Sequence, residues 1–178
     1  MEQILADKDY YEASNGGVTL SGGECMLQID FVTELLKECE RHSIDAAIDT
    51  AGNVPYEYFE RVMPYTKAFL FDLKCVSPDL HKNGTGSYND LILENLKAIS
   101  TTCPEKLVIR MPLIGGFNDT PTELEGIKAF LATLNYTSLE ILPYHSMAQH
   151  KYSATTKPYT EFSTPTQKAI DTLKSLKT

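Results

Sequence analysis

Short apolar or β-branched runs in this sequence end repeatedly in polar residues: Ser21 and Glu24 after GVTL, Asp49 after DAAI, Asp72 and Lys74 in FDLK, Arg110 in KLVIR, and His145 after ILPY. Two carboxylates, two cations, a histidine and a glycine-lined strand edge match a small zwitterionic ligand. Lys74 or Arg110 would take its carboxylate, and a carboxylate with backbone carbonyls would take its ammonium. Gly22 and Gly23 lack the Cβ that would hold a ligand off the main chain. A phosphate loop is disfavoured, because no Lys-Ser/Thr pair follows these glycines and Glu24 repels phosphate. Each group also has a purely structural reading: a turn at Asp49-Thr50, a local ion pair between Asp72 and Lys74, a neutralising role for Arg110, a packed surface histidine, and a tight strand-to-helix turn at the glycines. Five such strand ends together favour a binding rim, since ligands in parallel β/α folds sit at the carboxyl edge of the strands.

The elements that must carry these groups alternate along the chain. Strands are expected at Gly17 to Ser21, Asp45 to Thr50, Ala68 to Lys74, Lys106 to Ile114 and Ser138 to Tyr144. Helices are expected from about Gln28 to His42, from Pro55 at a first-turn position to about Tyr65, from Tyr88 to Thr101, to near Leu134 after an N-cap in GGFNDTPTE, and from Thr166 to Leu176. AFLFDLK is apolar on both faces, as a strand covered by helices on both sides would be. NGTGS reads as loop by composition, and SMAQHKYSATTKPYTEFSTP as a long polar loop. The strand centres recur at the ~30-residue interval of β/α units in parallel barrels. Five units do not close an eight-stranded barrel, which leaves an open partial barrel or a doubly wound sheet.

Composition sets the outer bounds. The chain has 178 residues, 42% of them hydrophobic, enough for one globular core and read here as one domain over residues 1–178. Its 24 acidic and 16 scattered basic residues argue against a nucleic-acid partner. No stretch resembles a leader peptide or a membrane span, so no membrane partner and a cytoplasmic location are expected. The four cysteines, Cys25, Cys39, Cys75 and Cys103, are dispersed and read as free thiols in a reducing compartment.

GGVTLSGGE, IDTAG, FDLK, IRMPLIGGFND and ILPYHSMAQHKY occur in an order and at a spacing that resemble the glycyl-radical-enzyme activating enzymes. These are the radical S-adenosylmethionine (SAM) proteins that include pyruvate formate-lyase activating enzyme. The resemblance runs from about Gln3 to the C-terminal helix. It implies a radical-SAM partial barrel in which Gly22, Gly23 and Glu24 receive the methionyl ammonium. It also implies that Asp49, Lys74 and Asp72 lie around the methionyl amino and carboxylate groups, with Leu73 in the same strand end. Arg110 and His145 would line the rest of the pocket, His145 toward the nucleoside. Asp49, the Thr50 carbonyl and Asp72 would offer oxygens to a monovalent cation. Cys25 replaces the proline found in many relatives.

The implied reaction is reductive cleavage of SAM at a [4Fe–4S] cluster, giving a 5′-deoxyadenosyl radical that takes hydrogen from a glycine of a partner such as pyruvate formate-lyase, with flavodoxin or ferredoxin as reductant. No general acid or base is required. The family holds its cluster in a CxxxCxxC loop before the Gly-Gly-Glu strand, and these residues contain no such loop. The expectation is therefore an inactive fragment that lacks the first β/α unit and keeps the SAM-binding rim. Two other readings stay open: a Schiff-base aldolase using Lys74, and a non-catalytic SAM-binding protein.

Overall fold

The structure, a computed structural model, describes residues 1–144 and 162–176. Five parallel strands form an open sheet in the order β1 (Gly17–Leu20), β2 (Asp45–Thr50), β3 (Ala68–Asp72), β4 (Leu107–Leu113) and β5 (Ser138–Pro143). A doubly wound sheet reverses its strand order at a switch point, so this sequential order selects the partial-barrel alternative. Parallel register pairs Leu20 with Ile48 and Asp49 with Leu70. The chain groups into two compact units, one of residues 1–72, 90–109 and 135–138, the other of residues 73–89, 110–134 and 139–178.

In the first unit, α1 (Glu2–Ala6) and α2 (Lys8–Ser14) precede β1, and neither was expected from the sequence. A 3-10 turn over Cys25–Gln28 leads into α3 (Ile29–Arg41), which buries Ile29, Val32, Thr33, Leu36 and Cys39 along one stripe. Pro55 stands outside α4 (Tyr56–Val62) as its extended cap rather than inside its first turn. Phe59 of α4 packs its ring 5.7 Å from Phe69 and 6.1 Å from Phe71. Burial along β3 alternates: Phe69 and Phe71 are fully enclosed, while Ala68, Leu70 and Asp72 are half-buried. The expectation of cover on both faces is therefore met on one face only, the second being partly covered by the described residues. Helix α6 (Asp90–Thr102) adds Asn95, whose amide donates to the Gly52 and Val54 carbonyls at 2.8 and 2.7 Å. Those bonds satisfy two buried carbonyls of an irregular turn.

The second unit contains α5 (Pro78–Thr85), α7 (Pro121–Leu131) and α8 (Gln167–Lys174). Helix α5 corrects the loop reading of NGTGS, since Asn83, Gly84 and Thr85 complete its last turn and only Gly86, at φ 89°, stops it. Gly84 is used for proximity: a Cβ there would stand 2.5 Å from the Phe117 ring. Thr120 caps α7 by accepting from the Glu123 N–H at 3.3 Å, as expected for that turn.

Candidate functional site

The end of β1 turns through Gly22, whose φ of 140° is disfavoured for a residue with a Cβ. Among the described residues, nothing lies within 4 Å of where a Cβ would stand on Gly22 or on Gly23. Gly52 is the contrast, with φ 76° and its absent Cβ only 2.0 Å from the Phe71 ring. Packing inside the chain thus demands Gly52, whereas Gly22 and Gly23 are exposed and the space over them is open among the described residues.

Glu24 closes this turn. One carboxylate oxygen accepts from the Met26 N–H at 3.3 Å, and the other accepts from the Thr50 hydroxyl at 2.8 Å and the Ala51 N–H at 3.1 Å. The Thr50 hydroxyl also accepts from the Gly52 N–H at 2.9 Å. Asp49 takes the Ser21 hydroxyl at 2.9 Å, which ties the ends of β1 and β2 together. Two half-buried carboxylates therefore flank the glycine turn, and Asp72 ends β3 in the same unit. Cys25 lies 3.5 Å from the Leu20 carbonyl and 3.8 Å from that of Asp49. Burial first, and the Glu24 charge second, push its thiol up to about 11.

The second unit begins at the other half of FDLK. Leu73 is fully buried, and its N–H donates to the Arg110 carbonyl at 2.9 Å. The alternation of β3 continues past its end and turns the Leu73 side chain into the core, while Asp72, Lys74 and Arg110 are half-buried. The Lys74 carbonyl accepts from Asn118 at 2.5 Å. Asn118, Asn89 and Glu123 are buried polar residues around this segment that the sequence reading did not single out. The signal available for Asn118 was its place in a Gly-Gly-Phe-Asn-Asp turn, which was read only as a turn. His145 and the loop after it lie outside the described residues.

Residues 1–125 match the model of the radical SAM superfamily. The chain belongs to that family. It is 40% identical over 152 residues to indoleacetate decarboxylase activating enzyme of Tractidigestivibacter scatoligenes, covering 85% of this chain and 48% of that protein. It is 39% identical over 181 residues to trans-4-hydroxy-L-proline dehydratase activating enzyme of Clostridioides difficile, covering 99% of this chain and 60% of that protein. The chain thus spans about half the length of the curated relatives it matches. Among solved structures, a domain of pyruvate-formate lyase-activating enzyme from Bacteroides vulgatus superposes with a TM-score of 0.74 at 29% identity, over 90% of this chain and 94% of that one.

Radical SAM membership implies SAM and a [4Fe–4S] cluster. The cysteines of these residues do not fit the cluster. Cys39, Cys75 and Cys103 are buried at separate places, and burial raises each thiol, Cys75 to about 12 with the Glu123 charge adding to the effect. Iron needs thiolates, which burial disfavours here. Among the described residues no group of three His, Cys, Asp or Glu could hold a metal ion. No helix among them is long and apolar enough to cross a membrane. The glycine turn with its two carboxylates does fit the ammonium end of SAM, because it pairs open space with acceptor oxygens.

Proposed function

We propose that this chain is the SAM-binding core of an activating enzyme for a glycyl radical enzyme. One observation carries the reading: the turn at Gly22 and Gly23 leaves room against the backbone that no described residue fills, with Glu24 and Asp49 beside it. The ammonium of SAM would donate to the Glu24 and Asp49 carboxylates and lie over the glycines. Family resemblance assigns Asp72 to the same neighbourhood, Lys74 to the methionyl carboxylate, Arg110 and His145 to the remainder of the ligand, and a monovalent cation to oxygens of Asp49, Thr50 and Asp72.

In the whole protein SAM, on one-electron reduction, would supply the hydrogen-abstracting chemistry directed at a glycine of the partner, a member of the glycyl radical enzymes such as pyruvate formate-lyase. A flavodoxin or ferredoxin would supply the electron. The residues of this chain bind and orient the cofactor, and no step asks them to move a proton. The activating enzymes among its relatives support the assignment.

NMR titration with SAM tests it. A dissociation constant on the order of 0.1 to 1 mM is expected, about 4 to 5.5 kcal/mol of binding. Glu24→Gln and Asp49→Asn should each weaken binding by roughly 5- to 10-fold, the loss of one charge-assisted hydrogen bond. Absence of binding at several millimolar overturns the reading. Anaerobic reconstitution of these residues with iron and sulfide should leave them without a stoichiometric cluster.

A further inference from the structure

Four backbone polar groups in the three peptide units from Lys74 to Ser77 are gripped one after another by buried side chains of the second unit. The Lys74 carbonyl accepts from Asn118 Nδ2 at 2.5 Å, and the Cys75 carbonyl from Asn89 Nδ2 at 3.0 Å. The Val76 and Ser77 N–H groups donate to Glu123 Oε1 at 2.5 and 3.3 Å. Asn89 and Asn118 are 0% exposed and Glu123 is 4% exposed. Connecting backbone normally gives such groups to water. Burying two amides and a carboxylate to hold them is costly unless every bond forms, which selects a single conformation of the segment. The selection comes close to its limit at Asn89, whose Oδ1 is buried without a partner.

Asn118 does most of the joining. Besides Lys74, its amide donates to the Pro112 carbonyl at 2.7 Å, and its Oδ1 accepts the Ile114 N–H at 2.7 Å. Two donors and one acceptor at that reach are what a carboxamide provides; aspartate would set a carboxylate oxygen against two carbonyls. The peptide at Lys74 is thereby tied to the end of β4. A lysine carries its ammonium on a flexible four-carbon stem, so freedom at its backbone would be amplified at its tip.

We propose that Asn118 is a positioning residue: it fixes the backbone at Lys74 so that the Lys74 ammonium reaches the methionyl carboxylate of SAM, with Glu123 holding the next two N–H groups in support. This rests on the role given to Lys74 above. The test uses two probes, SAM and decarboxylated SAM, titrated by NMR into the unsubstituted chain, Asn118→Asp, Lys74→Ala and the double variant. Asn118→Asp should weaken SAM about 10-fold, equivalent to ~1.4 kcal/mol, and change decarboxylated SAM by less than about 2-fold; in the Lys74→Ala background it should add nothing. Equal weakening of both probes, or an undiminished effect without Lys74, assigns Asn118 a structural role only and overturns the proposal. If Lys74→Ala leaves SAM binding intact while Glu24→Gln weakens it, the positioning proposal falls and the cofactor site stands. If neither variant changes binding, both fall. Should Asn118→Asp fail to fold, Glu123→Gln replaces it, with roughly a 3-fold loss expected for SAM alone and equal losses for both probes counting against the proposal.

Discussion

The strand ends in the two units hold their polar groups by opposite means. At the ends of β1 and β2 the polar side chains hold one another: Ser21 binds Asp49, Thr50 binds Glu24, and the carboxylates remain half-buried. After β3 the backbone is held instead, by Asn89, Asn118 and Glu123, which are themselves buried. The contrast follows from side-chain length. A carboxylate on a short stem is oriented by its immediate neighbours and must keep lone pairs accessible. A lysine ammonium stands on a long flexible stem, so its position also depends on how firmly the peptide from which it springs is held.

Substitution tests this contrast most strongly at Asn118. Asn118→Leu leaves the Lys74 and Pro112 carbonyls and the Ile114 N–H without their partner, which should cost about 4 kcal/mol of stability, read as a lower urea midpoint. Glu24→Gln, which keeps an acceptor oxygen, should cost about 1 kcal/mol or less. Equal losses would erase the distinction between the two regions.

Alkaline pH gives the next largest effect and acts on the buried segment. The Cys75 thiol is raised from an ordinary 9.0 to about 12, so the folded state favours its protonated form. That contribution is intact below about pH 9 and is lost as pH rises toward 12. Near pH 10.5 the chain should have lost roughly 2 kcal/mol, and Cys75→Ala should flatten the decline. An unchanged slope in Cys75→Ala would place the alkaline sensitivity elsewhere. A small effect, comparable to that of Glu24→Gln, should come from Thr120→Ala, which removes the cap of the helix that carries Glu123 and should cost about 1 kcal/mol. Its thermal shift should appear without a change in the ratio of SAM to decarboxylated SAM affinity.

Local pattern carried much of the fold. β2 runs from Asp45 to Thr50, as expected, and β1, β4 and β5 differ from expectation only at their ends. Helix α3 was visible in the spacing of Ile29, Val32, Leu36 and Cys39. Helix α5 was hidden because two glycines and an asparagine outweighed its pattern, although Pro78 stands in its first turn and Gly86 ends it. In the site, Glu24 and Asp49 were legible as carboxylates at strand ends, whereas Asn118 and Glu123 looked like turn and cap residues because their partners lie far away in sequence.

The sequence by itself determined where strands end and which residue types stand there, because side-chain period and glycine conformation are properties of a few adjacent residues. The tertiary structure decided that Leu73 faces the core between two half-buried neighbours, that no described residue fills the space over Gly22 and Gly23, and that the Lys74 carbonyl is held by a buried amide. Those outcomes depend on groups distant along the chain meeting at hydrogen-bond distance, as Asn118 and Lys74 do at 2.5 Å. Only the packing of helices against strands brings such groups together.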